Sequence, residues 1–220
     1  MRRAVDVICA IAALVVLSPV LCAIALAVLI RDGAPVLYRQ TRVGRNGRPF
    51  LILKFRSMQT GIAGASITAD GDARVTPLGR WLRKFKLDEL PQFWNVLRGE
   101  MSLIGPRPEV PDYVQFEDPV WREVLSAPPG ITDLASLAFR GEEQLLSRDV
   151  DAESYYRLVI LPAKLRLNVL YLRSRSLSAD LRLLWMTMLY SFMPHKFDRS
   201  RVLGRLGGAL EAREGHESST

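Results

Sequence analysis

The sequence predicts an α+β chain whose helices and small β-element follow an apolar, membrane-length segment at the N-terminus. Three observations predict this. Residues 7–30 are 24 residues in a row of aliphatic, Ala or Cys type, interrupted only by Ser18 and Pro19 at the midpoint. Two β-rich runs flank Asn46-Gly47, a pair suited to a two-residue hairpin turn. Beyond them the apolar residues recur mostly at helical spacing in short amphipathic stretches.

The apolar segment, as one helix, would be about 36 Å long, enough to cross a hydrocarbon core of about 30 Å. It exceeds the usual length of a secretory h-region and leads into no small-x-small cleavage site, so it reads as a retained membrane element. Pro19 lacks an N–H and crowds the carbonyl of Val15, so the helix must bend there, and the Ser18 hydroxyl can bond a freed carbonyl. Each half is then about 18 Å, too short to cross alone. Arg2 and Arg3 flank one end, and Arg31, Arg39, Arg42 and Arg45 follow the other. Basic residues at both ends favour two cytoplasmic ends and so a hairpin that dips into one leaflet and returns, but on these residues alone a kinked span stays slightly ahead, because re-entrant segments are rarer.

The hairpin is expected over residues 36–58, with Lys54 and Arg56 on one face and Leu51, Leu53 and Phe55 on the other, buried one. Residues 60–73 are small and polar and read as a loop. "LGRWLRKF" (78–85) and "LPQFWNVLRG" (90–99) read as short amphipathic helices, the second with Pro91 in its first turn and Gly99 closing it. "GPRP" holds Arg107 between two prolines. Residues 128–150 read as a turn-rich passage, and 153–172 and 179–193 as helices. "LRLLWMTMLYSFM" (181–193) is too short to span and contains Arg182, so it suits a core or interfacial position. The predicted organisation is a membrane segment over 1–31, a second domain over 32–198, and a Gly- and charge-rich tail without fixed structure over 199–220.

The chain has 220 residues, 49% of them hydrophobic, and a net charge of +7. Residues 1–56 hold nine Lys/Arg against Asp6 and Asp32, so they carry the whole excess, beside the apolar run. That placement points to anionic headgroups or phosphate-bearing substrates, and no nucleic-acid module accompanies it. Cys9 and Cys22 both lie inside the apolar run, and His195 and His216 are far apart, which excludes a disulfide framework and a histidine metal site.

The densest chemistry is "KLDEL", which sets Asp88 and Glu89 side by side before Pro91. Acidic residues at a helix start commonly cap its free N–H groups. Against that reading, Arg80, Arg83, Lys84 and Lys86 precede the pair within eight residues, and Lys54, Arg56 and Arg107 can converge on it. A carboxylate in such a field is expected to stay ionised, able to attack or to bind Mg²⁺, while the cations hold phosphate oxygens.

These residues resemble the bacterial sugar transferase family, the monotopic polyprenyl-phosphate phosphoglycosyl transferases. The resemblance runs through "RRAVD" (2–6), Ser18-Pro19, "RVGRNGRPFLILKFRSM" (42–58), "DARVTPLGRWLRKFKLDELPQFWNVLRGEMSLIGPRPE" (72–109), "PPGIT" (128–132) and "SADLRLLWMTM" (178–188). It implies transfer of a sugar-1-phosphate from a UDP-sugar to polyprenyl (undecaprenyl) phosphate with release of UMP, starting exopolysaccharide or glycoconjugate synthesis. It implies Asp88 as the nucleophile that forms an aspartyl-phosphosugar, and Glu89 as a ligand of Mg²⁺ with Asp88 or a group acting on the acceptor. Lys54, Arg56, Arg83 and Arg107 would steady phosphates. The Ser18-Pro19 break would make the N-terminal segment re-entrant, placing the catalytic domain, with its amphipathic interfacial helices, on the cytoplasmic face of the bacterial inner membrane. Membrane lipid is then a partner, nucleic acid is not, and an oligomer is compatible. "GITDLASLAFRGEEQLL" (130–146) departs from the common family pattern, so no specificity residue is assigned there. A non-catalytic membrane-anchored scaffold of glycan assembly is the alternative, with an anchored nucleic-acid binder behind it.

Overall fold

The computed structural model describes residues 2–59, 61, 68, 71–142, 146, 151–198, 200 and 202. The predicted loop at 60–73 and the predicted tail at 199–220 lie largely outside these residues.

The apolar segment forms two helices, α1 (Arg2–Val16) and α2 (Ser18–Asp32), bent by 62° at Leu17. The bend follows from the residues at the break. Pro19 sits in the first turn of α2, and the Ser18 hydroxyl donates to the Val15 carbonyl at 2.8 Å, the carbonyl that Pro19 cannot serve. Among the described residues no single helix is long and apolar enough to cross a membrane, whereas this bent pair passes that test together.

Both ends of the pair are fastened to the rest of the chain. At the start, the Arg3 guanidinium donates to the carbonyls of Val96 and Leu97, and Asp6 accepts from Ser102 and Leu103. At the end, the Arg56 Nη2 donates to the carbonyls of Asp32 and Gly33, and the Thr76 hydroxyl donates to Asp32 Oδ2 at 3.0 Å.

Strands β1 (Leu37–Val43) and β2 (Pro49–Phe55) form the expected antiparallel hairpin, in register from Leu37 opposite Phe55 to Val43 opposite Pro49. Asn46 and Gly47 have φ of 56° and 76°, and Arg48 N–H closes the turn on the Arg45 carbonyl, as a type I′ turn requires. The buried positions differ in part from the expected ones: Phe55 is buried as expected, but Leu51 is 51% exposed and Ile52, on the opposite face, is buried instead. The reason is α4 (Gln92–Arg98), whose Val96 packs on Ile52 together with Met101 and Ala10 of α1. Phe55, on the other face, is buried against Ile24 and Val28 of α2 and Leu82 of α3 (Pro77–Lys84).

The helices α3 and α4 lie where their patterns place them, with Thr76 capping α3 and Gly99 closing α4 at φ 85°. Residues 130–138, within the predicted turn-rich passage, carry more regular structure than their composition suggests. Strand β3 (Ser102–Ile104) pairs in parallel with β4 (Gly130–Thr132), and α6 (Leu134–Ala138) follows α5 (Pro119–Ser126) and β4. The strands cross so closely that a Cβ on Gly130 would lie 2.1 Å from the Gly105 nitrogen.

The C-terminal helices are α7 (Ala152–Tyr155), a π-turn over Tyr156–Ile160, α8 (Leu161–Ser174) and α9 (Leu177–Phe192). The wider turn directly precedes Pro162, which can neither donate to nor clear the carbonyl one turn back. Asp180, Leu183, Met186 and Tyr190 of α9 are buried in the largest core cluster or beside it. The opposite face exposes Leu177, Leu181, Trp185, Met188 and Phe192, which fall within an arc of about 80° at helical spacing. Helix α9 is thus core on one side and exposed apolar surface on the other.

Candidate functional site

Helix α3 ends at Phe85, and Lys86 then adopts a left-handed conformation (φ 58°) that turns the chain sharply. A single 3-10 turn, Leu87–Glu89, follows and carries the acidic pair inward. Asp88 and Glu89 are 4% and 8% exposed. Neither caps a helix: α4 starts at Gln92, with Pro91 at its N-cap position and no side-chain cap. The structure therefore disfavours the capping explanation of this pair.

Glu89 is the meeting point of two cations from separate elements. Lys54 Nζ, near the end of β2, lies 3.1 Å from Glu89 Oε1. Arg107 Nη2, from the segment after β3, donates to the same oxygen at 2.7 Å. Among the described residues Asp88 has no such partner, and its Oδ1 is buried without a hydrogen bond. Two adjacent carboxylates thus have opposite surroundings.

Their proton affinities diverge accordingly. Burial, reinforced by the charge of Glu89, pushes Asp88 above the ordinary carboxylate range, and Lys54, Lys86 and Arg83 only partly oppose it. The expectation that nearby cations keep Asp88 ionised is weakened by burial, which is the larger influence. Burial acts on Glu89 in the same direction, but Arg107, Lys54 and Lys86 together hold it well below that range. Burial lowers Lys54 to about 8, with Glu89 resisting and Arg107 assisting. Arg107 is held protonated above its ordinary value, by Glu89 first and further by Glu142 and Asp133.

The structure brings together Asp88, Glu89, Lys54 and Arg107, and places Arg83 within electrostatic reach of Asp88. Arg56 is turned elsewhere. Although it lies two residues beyond Lys54, its guanidinium is buried against the exit of α2, fastening Asp32 and Gly33. Ser18 and Pro19 lie at the bend between α1 and α2, where their chemistry places a break in the helix.

Arg140 escaped the sequence reading. It is half-buried, donates to the Lys84 carbonyl at 3.2 Å and feels the charge of Glu89. It lies in the stretch that departs from the common family pattern, so no motif marked it.

The donor set bears on magnesium. Among the described residues no cluster of three or more His, Cys, Asp or Glu could hold a metal. Mg²⁺, however, commonly takes one or two carboxylates and completes its shell with water and substrate phosphates. Asp88, with a buried oxygen lacking a partner, and Glu89 beside it fit that pattern.

The family model for bacterial sugar transferases matches residues 1–194. The chain is 36% identical over 199 residues to the UDP-glucose:undecaprenyl-phosphate glucose-1-phosphate transferase of Escherichia coli (strain K12), covering 88% of this chain and 40% of that protein. It is 42% identical over 143 residues to the UDP-N-acetylgalactosamine-undecaprenyl-phosphate N-acetylgalactosaminephosphotransferase of Aeromonas hydrophila, covering 62% of this chain and 33% of the relative. A Caulobacter vibrioides protein named UDP-glucose:undecaprenyl-phosphate glucose-1-phosphate transferase is 35% identical, with 85% of this chain and 68% of the relative covered. The chain spans two fifths or less of the length of the first two of these relatives. The match over residues 1–194, bent helix pair and buried Asp-Glu dyad included, establishes that the chain belongs to the bacterial sugar transferase family.

Proposed function

We propose that the chain transfers a sugar-1-phosphate from a UDP-sugar to undecaprenyl phosphate at a membrane surface, in two displacements through Asp88. In the first, a carboxylate oxygen of Asp88 attacks the β-phosphorus. An O–P bond forms, the bond from that phosphorus to the bridging oxygen breaks, and UMP leaves with the electron pair. In the second, a phosphate oxygen of the lipid attacks the same phosphorus and Asp88 leaves as carboxylate, giving the diphosphate-linked sugar. The single observation that carries this reading is the buried, unpartnered Asp88 Oδ1 beside a Glu89 already neutralised by Lys54 and Arg107.

Lys54 and Arg107 supply fixed positive charge where the transferred phosphate gains negative charge, and Arg83 and Arg140 extend that field. Asp88 and Glu89 would hold Mg²⁺, which when bound would neutralise the donor's diphosphate oxygens. A scaffold with no chemistry would leave the cost of burying an unpartnered carboxylate oxygen unexplained.

The bent pair α1–α2 is read as re-entrant, dipping into one leaflet with both ends on the cytoplasmic face of the bacterial inner membrane. Two observations support this: both ends are fastened to the same body, and Arg2, Arg3 and Arg31 flank the apolar run. The exposed stripe of α9, with Trp81 of α3 and Trp94 of α4, offers apolar surface suited to the interface.

The test is release of UMP from UDP-sugars by membranes carrying the chain, with exchange of labelled UMP into the donor in the absence of lipid acceptor. Exchange without acceptor is the expected result. Release of UDP, or exchange that requires acceptor, contradicts the two-step route.

A further inference from the structure

We infer that Asp6, on the membrane helix α1, is a positioning residue for Arg107, so that the N-terminal element supports the site as well as anchoring it. The inference rests on the function proposed above for Arg107.

Asp6 is buried to 9% exposure on a helix whose neighbours Val5 and Ile8 are 55% and 66% exposed. A carboxylate at such a place is costly unless its oxygens are bonded, and both are. Oδ2 accepts from the Ser102 hydroxyl at 2.9 Å, and Oδ1 accepts from the Leu103 N–H at 3.1 Å. Strand β3 bonds β4 along one edge only. On the other side Asp6 takes the Leu103 N–H, standing where a further strand would pair, and the Ser102 hydroxyl beside it.

The chain from Leu103 to Arg107 has little freedom to absorb a shift. The Ile104 carbonyl accepts from Arg175 Nη2 at 3.0 Å. Gly105 N–H donates to Thr132, and the Pro106 carbonyl accepts from Gly130 N–H. Arg107 itself lies between Pro106 and Pro108, whose φ angles are fixed. Asp6 is the first of this row of fixings, at Ser102 and Leu103, and the bonds at Ile104, Gly105 and Pro106 continue it up to Arg107.

The same helix holds the opposite flank of the site. Arg3, about one turn before Asp6, binds the carbonyls of Val96 and Leu97 in α4, the helix that follows Glu89. Through Asp6 and Arg3, α1 sets β3 against α4, and with them Arg107 against Glu89.

The experiment uses the full chain in lipid nanodiscs and measures acceptor-free exchange of labelled UMP at varied UDP-sugar. Asp6→Ala is expected to lower kcat/KM for the donor about 30-fold in an otherwise unchanged chain. In an Arg107→Gln background the same substitution is expected to lower it less than about 3-fold, because the group that Asp6 places is gone. Asp6→Asn keeps an acceptor for Leu103 N–H and lets the Ser102 hydroxyl reverse its role, so it is expected to recover most of the loss. Equal losses in the two backgrounds would overturn the inference. So would unchanged hydrogen exchange of the 102–107 amides in Asp6→Ala, where faster exchange confined to that segment is expected. If the unsubstituted chain shows no exchange of UMP at all, the proposed function fails, and the amide measurement alone decides whether Asp6 holds the Arg107 segment.

Discussion

Two small sheets among the described residues each deliver one cation to Glu89, and they are built on opposite terms. The hairpin β1–β2 runs for seven paired positions, closes through a local turn and carries Lys54 near its end. The β3–β4 pair has three residues in each strand, brings together segments separated by more than twenty residues, and leads to Arg107. Each has an outer edge served by a helix side chain in place of a strand. Asn95 of α4 accepts from Leu53 N–H at 3.0 Å and donates to the Leu51 carbonyl at 2.7 Å, and Asp6 of α1 serves β3. The difference teaches that local pairing can hold one cation in place, whereas the other depends on close backbone contact and distant side chains.

The largest expected effect breaks the shorter sheet. In Gly130→Ala the new Cβ would meet the Gly105 backbone at 2.1 Å, with no flexible side chain to yield. A loss of more than about 3 kcal/mol is expected, read as failure to purify or as a collapse of Tm. The corresponding change in the hairpin, Gly47→Ala, meets the Phe116 ring edge at 2.9 Å and a φ of 76°, and is expected to cost about 1 kcal/mol. Comparable losses in the two variants would remove the contrast.

Next comes the oxygen the two sheets share. Glu89→Gln leaves the partly buried Lys54 and Arg107 without their counter-ion, and is expected to destabilise by about 2 kcal/mol in chemical denaturation. Its activity is expected to fall with it. A variant as stable as the parent would mean that the two cations are not coupled through Glu89.

A smaller effect separates the two cations by pH. Arg107 stays charged throughout the accessible range, whereas Lys54 is lowered to about 8. If both must be protonated, acceptor-free exchange should fall as pH rises through about 8, and the limb should move to higher pH in Lys54→Arg. Stability takes the opposite sign. The unfolded chain binds a proton at Lys54 that the folded chain has released between about 8 and the ordinary lysine value, so this residue makes stability rise with pH there. An alkaline limb that stays put in Lys54→Arg would assign it to another group.

The same contrast explains what could be read from the sequence. The hairpin, its Asn46-Gly47 turn, α3, α4 and the Ser18-Pro19 bend were all legible, because each is written in adjacent residues. The parallel pair was not, since three residues give no periodicity and the Gly105–Gly130 approach is a tertiary fact. Lys54, Glu89 and Arg107 were legible as a constellation, although the resemblance, more than spacing, linked them. Arg56 shares a face with Lys54 by spacing, but β2 ends between them and its guanidinium bonds Asp32 and Gly33, a partner set that adjacent residues do not reveal. Leu51 was misjudged because alternation gives two faces and cannot say which one a later helix will cover. Asp6 was visible as one of two acids beside nine cations, but its partners are 96 and 97 residues away.

The central claim is that Asp88 becomes covalently joined to the sugar phosphate. Full-length protein mixed with UDP-sugar alone, quenched and digested, should yield a peptide containing Asp88 that carries the added mass of one sugar phosphate, and the Asp88→Asn variant should not. Unmodified Asp88 in a sample that releases UMP only when donor and lipid acceptor are both present would contradict the account.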